Sequence, residues 1–448
     1  MKLYVPDKID LSKCPTARDY REDAYILFSI IYKQQIYRKK KSDFVNLKKE
    51  YLRKQINCNI LDTLIKELIQ AGIVESDNHY IKGRKCIGYR LNPKLILHKH
   101  KAVALKNKII IKRLGKWYAK EQHPLTLEVH QKLRDVIHKL VLDRDQAERT
   151  AKRYYRYQIR QIKGLNKIAA KARDKVKRRY RANMLAIDMF CSNQRWLIPD
   201  DYGRVHSNVT SMSKCIRKLL TLNSESLVEI DVVNSQPLLL GMLYKQWLNG
   251  NKQQLKSLES DNNFNEFQQE TNTHTTILHY DAYFLYHMNT STSDDTSVIH
   301  GVCMSNDAIK YLEAVEHGEL YENMMSLLAI EDRSVVKRIV FGILMGKHRT
   351  TKRQRLFANL YPSIYEFIGW LKKKDYKHAS HALQRLESKI ILHSVARQLL
   401  SEMIPCATIH DSLLVSQANV ERTFTLLYQE YRRCANVRPS LKPSETTT

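Results

Sequence analysis

Two short apolar segments in the C-terminal half of this 448-residue chain each end in an acid. In residues 226–244, SLVEIDVVNSQPLLLGMLY, the residues Leu227, Val228 and Ile230 predict a buried strand that closes on Asp231. Pro237 then opens an apolar helix, where its missing N–H costs little. In residues 405–417, PCATIHDSLLVSQ, a second apolar alternation surrounds His410-Asp411-Ser412, as in a hairpin with its acid at the turn. Two carboxylates displayed at neighbouring strand ends can share two Mg²⁺ ions about 3.5–4 Å apart, the arrangement for in-line phosphoryl or nucleotidyl transfer. Either acid alone is weak evidence, since strand-end aspartates commonly cap turns.

Between them, residues 331–349, EDRSVVKRIVFGILMGKHR, place Arg333, Lys337, Phe341 and Met345 four residues apart, along one slowly drifting helix face. Two cations followed by an aromatic suit a nucleoside triphosphate, with charge on the phosphates and the ring against the base. Taken alone, the same pattern is more readily that of an amphipathic helix with an exposed basic edge.

The elements that must position these groups sit in a strongly basic chain. It carries 75 Lys+Arg against 46 Asp+Glu, a formal charge of +29, and is 43% hydrophobic. Such an excess implies a polyanionic partner, because Lys and Arg gain affinity by displacing counterions from phosphates. The apolar content argues against a wholly disordered chain and leaves room for two or three domains. Neither GxGxxG nor GxxxxGK[ST] occurs among the 13 glycines, which disfavours Rossmann dehydrogenases and Walker-type ATPases. The eight cysteines are scattered, without CxxC or zinc-ligand spacing, and read as reduced, mostly buried thiols. The start MKLYVPDKID lacks a secretory apolar core, and no apolar run approaches the roughly 20 residues of a bilayer span. A cytoplasmic protein without a membrane partner is expected.

Residues 20–40 predict a helix with a basic tail. LKKEYLRKQI and NCNILDTLIKELIQAGIV predict two more, the second capped by Asn59, with Ile60, Leu61, Leu64, Leu68 and Ile69 as its apolar face and Gly72 as its stop. Alternation through Tyr80, Ile81, Ile87 and Tyr89, broken by Lys82-Gly83-Arg84-Lys85, predicts a hairpin with a basic tip. The pattern resembles a winged helix, whose wing, here Lys82, Arg84 and Lys85, can touch phosphates; winged helices also serve as protein-docking modules. Residues 105–190 predict two or three long helices. Within them, Ala151 to Ala182 carries thirteen Lys/Arg, one acid (Asp174), and interleaved Tyr154, Tyr155, Tyr157 and Tyr180. Charge that neutralises phosphate and rings that pack on sugar or base suit a nucleic-acid backbone, whereas a merely solvated face normally mixes signs. Residues 249–300 are polar and read as surface excursions around a helical stretch, and the final RPSLKPSETTT reads as a disordered tail.

In order along the chain, the Asp231 strand, the Arg333/Lys337/Phe341 helix and His410-Asp411 resemble motifs A, B and C of family A DNA polymerases and the related single-subunit phage-type RNA polymerases. The pattern RxxxKxxxFGxxxG (Arg333, Lys337, Phe341, Gly342, Gly346) is the most specific match, and DDYGRVHSN at 200–208 resembles the family's GRxH segment. The resemblance covers roughly residues 195–435. It implies Asp231 and Asp411 as metal-binding aspartates, the Val232 carbonyl as a further ligand, and two Mg²⁺ ions, with Mn²⁺ as a substitute. It implies Lys337 at the α-phosphate and as donor to the leaving group, Arg333 at the outer phosphates, and Phe341 and Met345 along the nucleotide pocket. His410 would meet the primer terminus; Arg204, His206, Gln384 and Glu387 are candidates for template-primer contact, the last two because QRLESKIILHSV resembles the helix before motif C.

The departures matter. Met345 stands where both branches usually have Tyr. Motif C reads His-Asp-Ser, as in the RNA branch, and RSVVKR also resembles that branch, yet Phe341-Gly342 resembles the DNA branch. Five residues after Asp231, where DNA polymerases carry a sugar gate and phage RNA polymerases a small residue, stands Gln236, bulky enough to exclude a 2′-hydroxyl. That shape favours deoxynucleotides. No DxE-type exonuclease motif appears in the N-terminal half, so no proofreading is expected.

The expected architecture is an α+β right-hand polymerase preceded by a winged helix. Residues 1–100 form the winged-helix-like domain, 101–190 a basic helical thumb-like region, 191–440 a palm with fingers inserted at approximately 245–375, and 441–448 a disordered tail. The expected activity is that of a small DNA-directed DNA polymerase replicating a plasmid, phage or other mobile element, with primer-template DNA, nucleoside triphosphates and replication proteins as partners. The alternatives are a single-subunit RNA polymerase or primase and, in another class, a non-catalytic DNA-binding replication initiator or regulator. Retention of Asp231, Asp411 and Lys337 together argues against the last.

Overall fold

The computed structural model describes residues 1–37, 43–121, 125, 127–164, 166–248 and 304–444. The described residues mix helix and strand, with helix the larger part. They divide into two compact units: residues 1–124, 142–195 and 211–219 form the first, and 125–141, 196–210 and 220–448 the second. This differs from the expected breaks at 100 and 190, since the N-terminal elements and the basic helices share one unit. The polar segment 249–300 and the helical stretch expected within it lie outside the described residues.

In the first unit, β1 (Lys2–Pro6), α1 (Pro15–Asp19), α2 (Arg21–Tyr37), β2 (Val45–Asn46), α3 (Lys49–Arg53), α4 (Leu61–Gln70), β3 (Val74–Ser76), β4 (Gly88–Leu91), α5 (Pro93–Ile96) and β5 (His100–Ala104) follow one another. β2, β4 and β3 make an antiparallel sheet in that order, and β1 pairs with β5. Leu61, Leu64, Ile65 and Leu68 recur at helical spacing, so α4 buries one face and Gly72, at φ +68°, stops it. Two expectations for this region fail. Ile60, not Asn59, occupies the N-cap and no side chain caps the helix, while Ile69 is exposed. The hairpin uses an earlier first strand than the alternation predicts: Val74–Ser76 pair with β4, and Tyr80 and Ile81 stay exposed, with a single bridge between Ile81 and Lys85.

Four helices, not two or three, fill the next region: α6 (Lys108–Glu121), α7 (Glu128–Lys139) in the second unit, then α8 (Arg144–Arg160) and α9 (Lys167–Cys191). The breaks are set by caps, Asp143 accepting from the Gln146 N–H and Asn166 from the Ala169 N–H. α8 and α9 pack together, with Tyr155 and Tyr180 stacked at 4.8 Å and the Arg179 guanidinium over Tyr154.

The second unit is built on β6 (Leu197–Pro199), β7 (Val205–Ser207), β8 (Leu220–Leu222), β9 (Glu225–Val232), β10 (Ala407–Ile409), β11 (Ser412–Ser416) and β12 (Leu441–Pro443). β6 pairs with β7, and the larger sheet runs β10-β11-β9-β8, with β12 also against β9. Leu227, Val228 and Ile230 of β9 and Leu413, Leu414 and Val415 of β11 are buried, which fixes their register. Helices follow as α10 (Ser235–Leu248), α11 (Asn306–Glu316), α12 (Leu320–Leu327), α13 (Arg333–Met345), α14 (Pro362–Leu371), α15 (His378–Ser388) and α16 (Val420–Ala435). Residues 389–396 continue α15 as wider π-type turns. For residues 441–444 the expected disordered tail is contradicted: Leu441–Pro443 pair with Ile230–Val232, and Ser444 exchanges hydrogen bonds with Glu229; residues 445–448 lie outside the described residues. The unpaired edge of β9 is a stronger constraint than the polar composition of the tail.

Candidate active site

β9 and β11 run antiparallel with Asp231 opposite Ser412, and His410-Asp411 form the two-residue turn between β10 and β11. His410 sits at φ +53°, a left-handed conformation that costs a non-glycine residue about 1 kcal/mol and sharpens the turn. The Val232 N–H points to the Asp411 carbonyl at 3.4 Å. In a strand both backbone polar groups of a residue face the same neighbour, so the Val232 carbonyl is directed to the Asp411 side. Burial first, then the charge of Asp231, push the Asp411 carboxyl up to about 6, against its own backbone hydrogen bonding and the charges of Arg204 and Lys337.

A carboxyl whose proton affinity is raised by a second carboxylate beside it fits a cation. Among the described residues no group of three or more His, Cys, Asp or Glu side chains gathers as a metal site. Two aspartates and one carbonyl are oxygen donors of the kind Mg²⁺ takes while keeping waters and phosphate oxygens.

The shift has a stability consequence. An acid with a higher pKa folded than unfolded contributes stability that is complete below about pH 4 and is lost as pH rises through 6. Glu387, pushed by burial up to about 7, acts in the same direction over a slightly higher window. The buried rings of His130 and His393, lowered to about 4 and 3, act oppositely, because the unfolded chain protonates them as pH falls below 6.5. Comparison with Asp411→Asn removes this group together with the part of the Glu387 rise that its charge causes. In metal-free protein the variant is expected to gain on the wild type by on the order of 1–3 kcal/mol between pH 4 and 7. A pH-independent difference in thermal unfolding would refute this placement of Asp411.

Beside the acids, Arg204 follows the Gly203 turn and donates from Nη2 to Glu387 Oε2 at 2.8 Å, and Gln236 Nε2 donates to the same oxygen. Glu387 was expected to contact template-primer; with its side chain 2% exposed it cannot do so, and it instead holds two other candidates. Gln384, one turn earlier on α15, is half-buried. His206 bonds through Nε2 to Asp200 Oδ2 at 2.8 Å, and its ring meets that of His410 edge-on at 5.4 Å. Burial raises Asp200, but the His206 bond and the Tyr202 and Arg204 backbone N–H groups outweigh it and hold the carboxyl below its usual range. Asp200 lies inside the DDYGRVHSN segment, and its neighbours were the available signal.

On α13 the four residues spaced by four fall on a single helix. Val336, Ile339, Val340, Ile343 and Leu344 are buried, Arg333 and Lys337 are exposed, and Phe341 and Met345 are half-buried. Asp332 caps the start by accepting from the Ser334 N–H. Arg333 is held by Glu322, Nε to Oε1 at 2.6 Å, a half-exposed pair worth at most about 1 kcal/mol. Beneath the stripe is a residue the sequence did not single out: Tyr321 of α12, buried, with Arg333 4.8 Å and Lys337 5.9 Å from its ring centre. Burial pushes its hydroxyl up to about 12, and Asp411 adds to the rise. The other end of α13 is capped by the buried ammonium of Lys372, which donates to the Ile343 carbonyl and to that of Gly346 at 2.6 Å. Burial lowers it to about 8. Nothing in WLKKKD distinguishes this lysine.

In the first unit, Lys82 and Arg84 are exposed at a tip turned by Gly83 at φ +71°. Lys85 does not join them, because Asp77 holds its ammonium at 2.6 Å. The basic stretch divides similarly. Arg178 is bidentate to Asp43, with both contacts at 2.7 Å, Arg173 donates to the Gly164 carbonyl, and Arg181 to that of Leu97. Lys152, Arg156 and Arg160 on α8 and Lys167, Lys171 and Lys175 on α9 are exposed at four-residue spacing. No helix among the described residues is long and apolar enough to cross a membrane.

No family model matches the chain, and no curated protein matches it in sequence. Among solved structures, one similar chain is described as the POL domain of Pol1 from M. smegmatis in complex with DNA primer-template and dNTP. It is 9% identical at a TM-score of 0.36, over 75% of this chain and 72% of that one.

Proposed function

We propose that the chain is a template-directed nucleotidyltransferase, a DNA-directed DNA polymerase without proofreading. The observation that carries this reading is the meeting of Asp231 and Asp411 at adjacent strand ends with the charge of Lys337 acting on Asp411. These groups lie far apart in sequence and match the order of motifs A, B and C. On this reading the second unit supplies palm and fingers, and the basic helices serve as the thumb. β2, β4 and β3 with α2–α4 form a winged helix.

Asp231, Asp411 and the Val232 carbonyl would hold Mg²⁺, which when bound supplies charge neutralisation at the phosphoryl group and lowers the proton affinity of a coordinated oxygen. The protein groups do the rest. Lys337 would donate its proton to the departing pyrophosphate, and Arg333 would swing from Glu322 to the outer phosphates. Phe341 and Met345 flank the base, and Gln236, only 7% exposed, backs the wall on the sugar side. His410 and Arg204 orient the primer end, so that rate comes from positioning and electrostatics.

Extension of a labelled DNA primer on a DNA template, with dNTPs or rNTPs and Mg²⁺, tests the proposal. Templated dNTP addition is expected, and Lys337→Ala is expected to lower kcat/KM by roughly 10²–10³-fold. Absence of incorporation from either nucleotide pool would end the catalytic reading.

A further inference from the structure

Glu387 is buried beneath the site and reaches across the chain with one oxygen. Its Oε2 accepts from Arg204, 183 residues earlier, and from Gln236, 151 residues earlier. Its Oε1 and the Gln236 Oε1 meet no donor among the described residues. A side-chain amide has two orientations related by a half-turn; an ionised carboxylate accepts only, and the Arg204 guanidinium on the same oxygen favours the ionised form. Glu387 therefore selects the orientation with Nε2 inward and leaves Gln236 presenting a buried acceptor oxygen. Gln236 itself is fixed at the start of α10, five residues after Asp231, so its remaining freedom is side-chain rotation. A bulky group that can rotate yields to an extra hydroxyl; one held at its tip does not.

We propose that Glu387 is a positioning residue that holds Gln236 in one amide orientation and, with Arg204, stiffens the sugar-facing wall of the nucleotide site, so that discrimination between deoxy- and ribonucleotides is set by Glu387 acting through Gln236. This rests on the polymerase reading above and goes beyond it: the selecting element is a buried couple, not a single side chain.

Two measurements separate the couple from the activity. Urea unfolding of wild type, Gln236→Ala, Glu387→Ala and the double variant tests the contact whatever the protein catalyses, and the double variant is expected to lose less than the sum of the single losses. Primer extension with competing dNTPs and rNTPs tests selection. Each alanine variant is expected to lose discrimination by about tenfold or more, with no further loss in the double variant. Glu387→Gln, which can still accept from Gln236 Nε2, is expected to keep most of it. That rescue would not follow from a merely structural acid. Additive unfolding effects overturn the couple. Unchanged discrimination in an active Glu387→Ala variant overturns the selecting role. Intact coupling in a wild-type protein that incorporates nothing overturns both the polymerase reading and the sugar role that depends on it.

Discussion

Asp231→Asn and Asp411→Asn are each expected to lower nucleotide incorporation by about a thousandfold or more while leaving the fold intact. Asparagine keeps the shape and the strand register, since the Asp231–Ser412 pairing and the Val232 N–H bond to the Asp411 carbonyl are backbone features. What it removes is the negative charge that a divalent cation needs. A second readout distinguishes this from damage. The charge of Asp231 raises Asp411, so in metal-free protein at neutral pH the pair repels, and Asp411→Asn should unfold at a temperature no lower than the wild type. Lost activity with retained or increased stability is the signature of a group kept for function against its folding cost. Incorporation that survives either substitution would show that these acids do not hold the metal of the reaction.

Why these acids could be read from sequence, and their surroundings could not, is a matter of range. An apolar alternation that ends in Asp, and a helix face repeating every four residues, are local patterns, and the strand, the turn and the α13 stripe follow from them directly. Partners are not local. Lys85 reads as a phosphate contact until Asp77 takes its charge, and Arg178 until Asp43 does. Glu387 has the spacing of a helix-face residue, but its burial is decided by Arg204 and Gln236. Tyr321 carries no pattern at all and is found only because α12 packs against α13. Leu441–Pro443 have a tail's composition and become a strand because the backbone of β9 offers them hydrogen bonds.

The same sorting of cations yields the second large effect. Replacing Lys167, Lys171 and Lys175 by alanine is expected to weaken primer-template binding by about 10²–10³-fold near 0.1 M salt. Their Cα positions rise about 6 Å per step along α9, and all three are exposed, so the row is free to follow a phosphate strand. Each phosphate contact on a duplex releases condensed counterions and contributes about 0.9 to the slope of log K against log salt, so three lost contacts should flatten that slope by roughly 2.7. Arg178→Ala is the contrasting variant. Its guanidinium is already bound by Asp43, and burial of part of that pair means its loss should lower thermal stability and leave the salt slope close to that of the wild type. Fluorescence anisotropy across a salt series measures both variants. If the arginine flattened the slope and the lysines did not, charge would be reaching DNA from the inner face of α9, and the outward row would be a solvated edge.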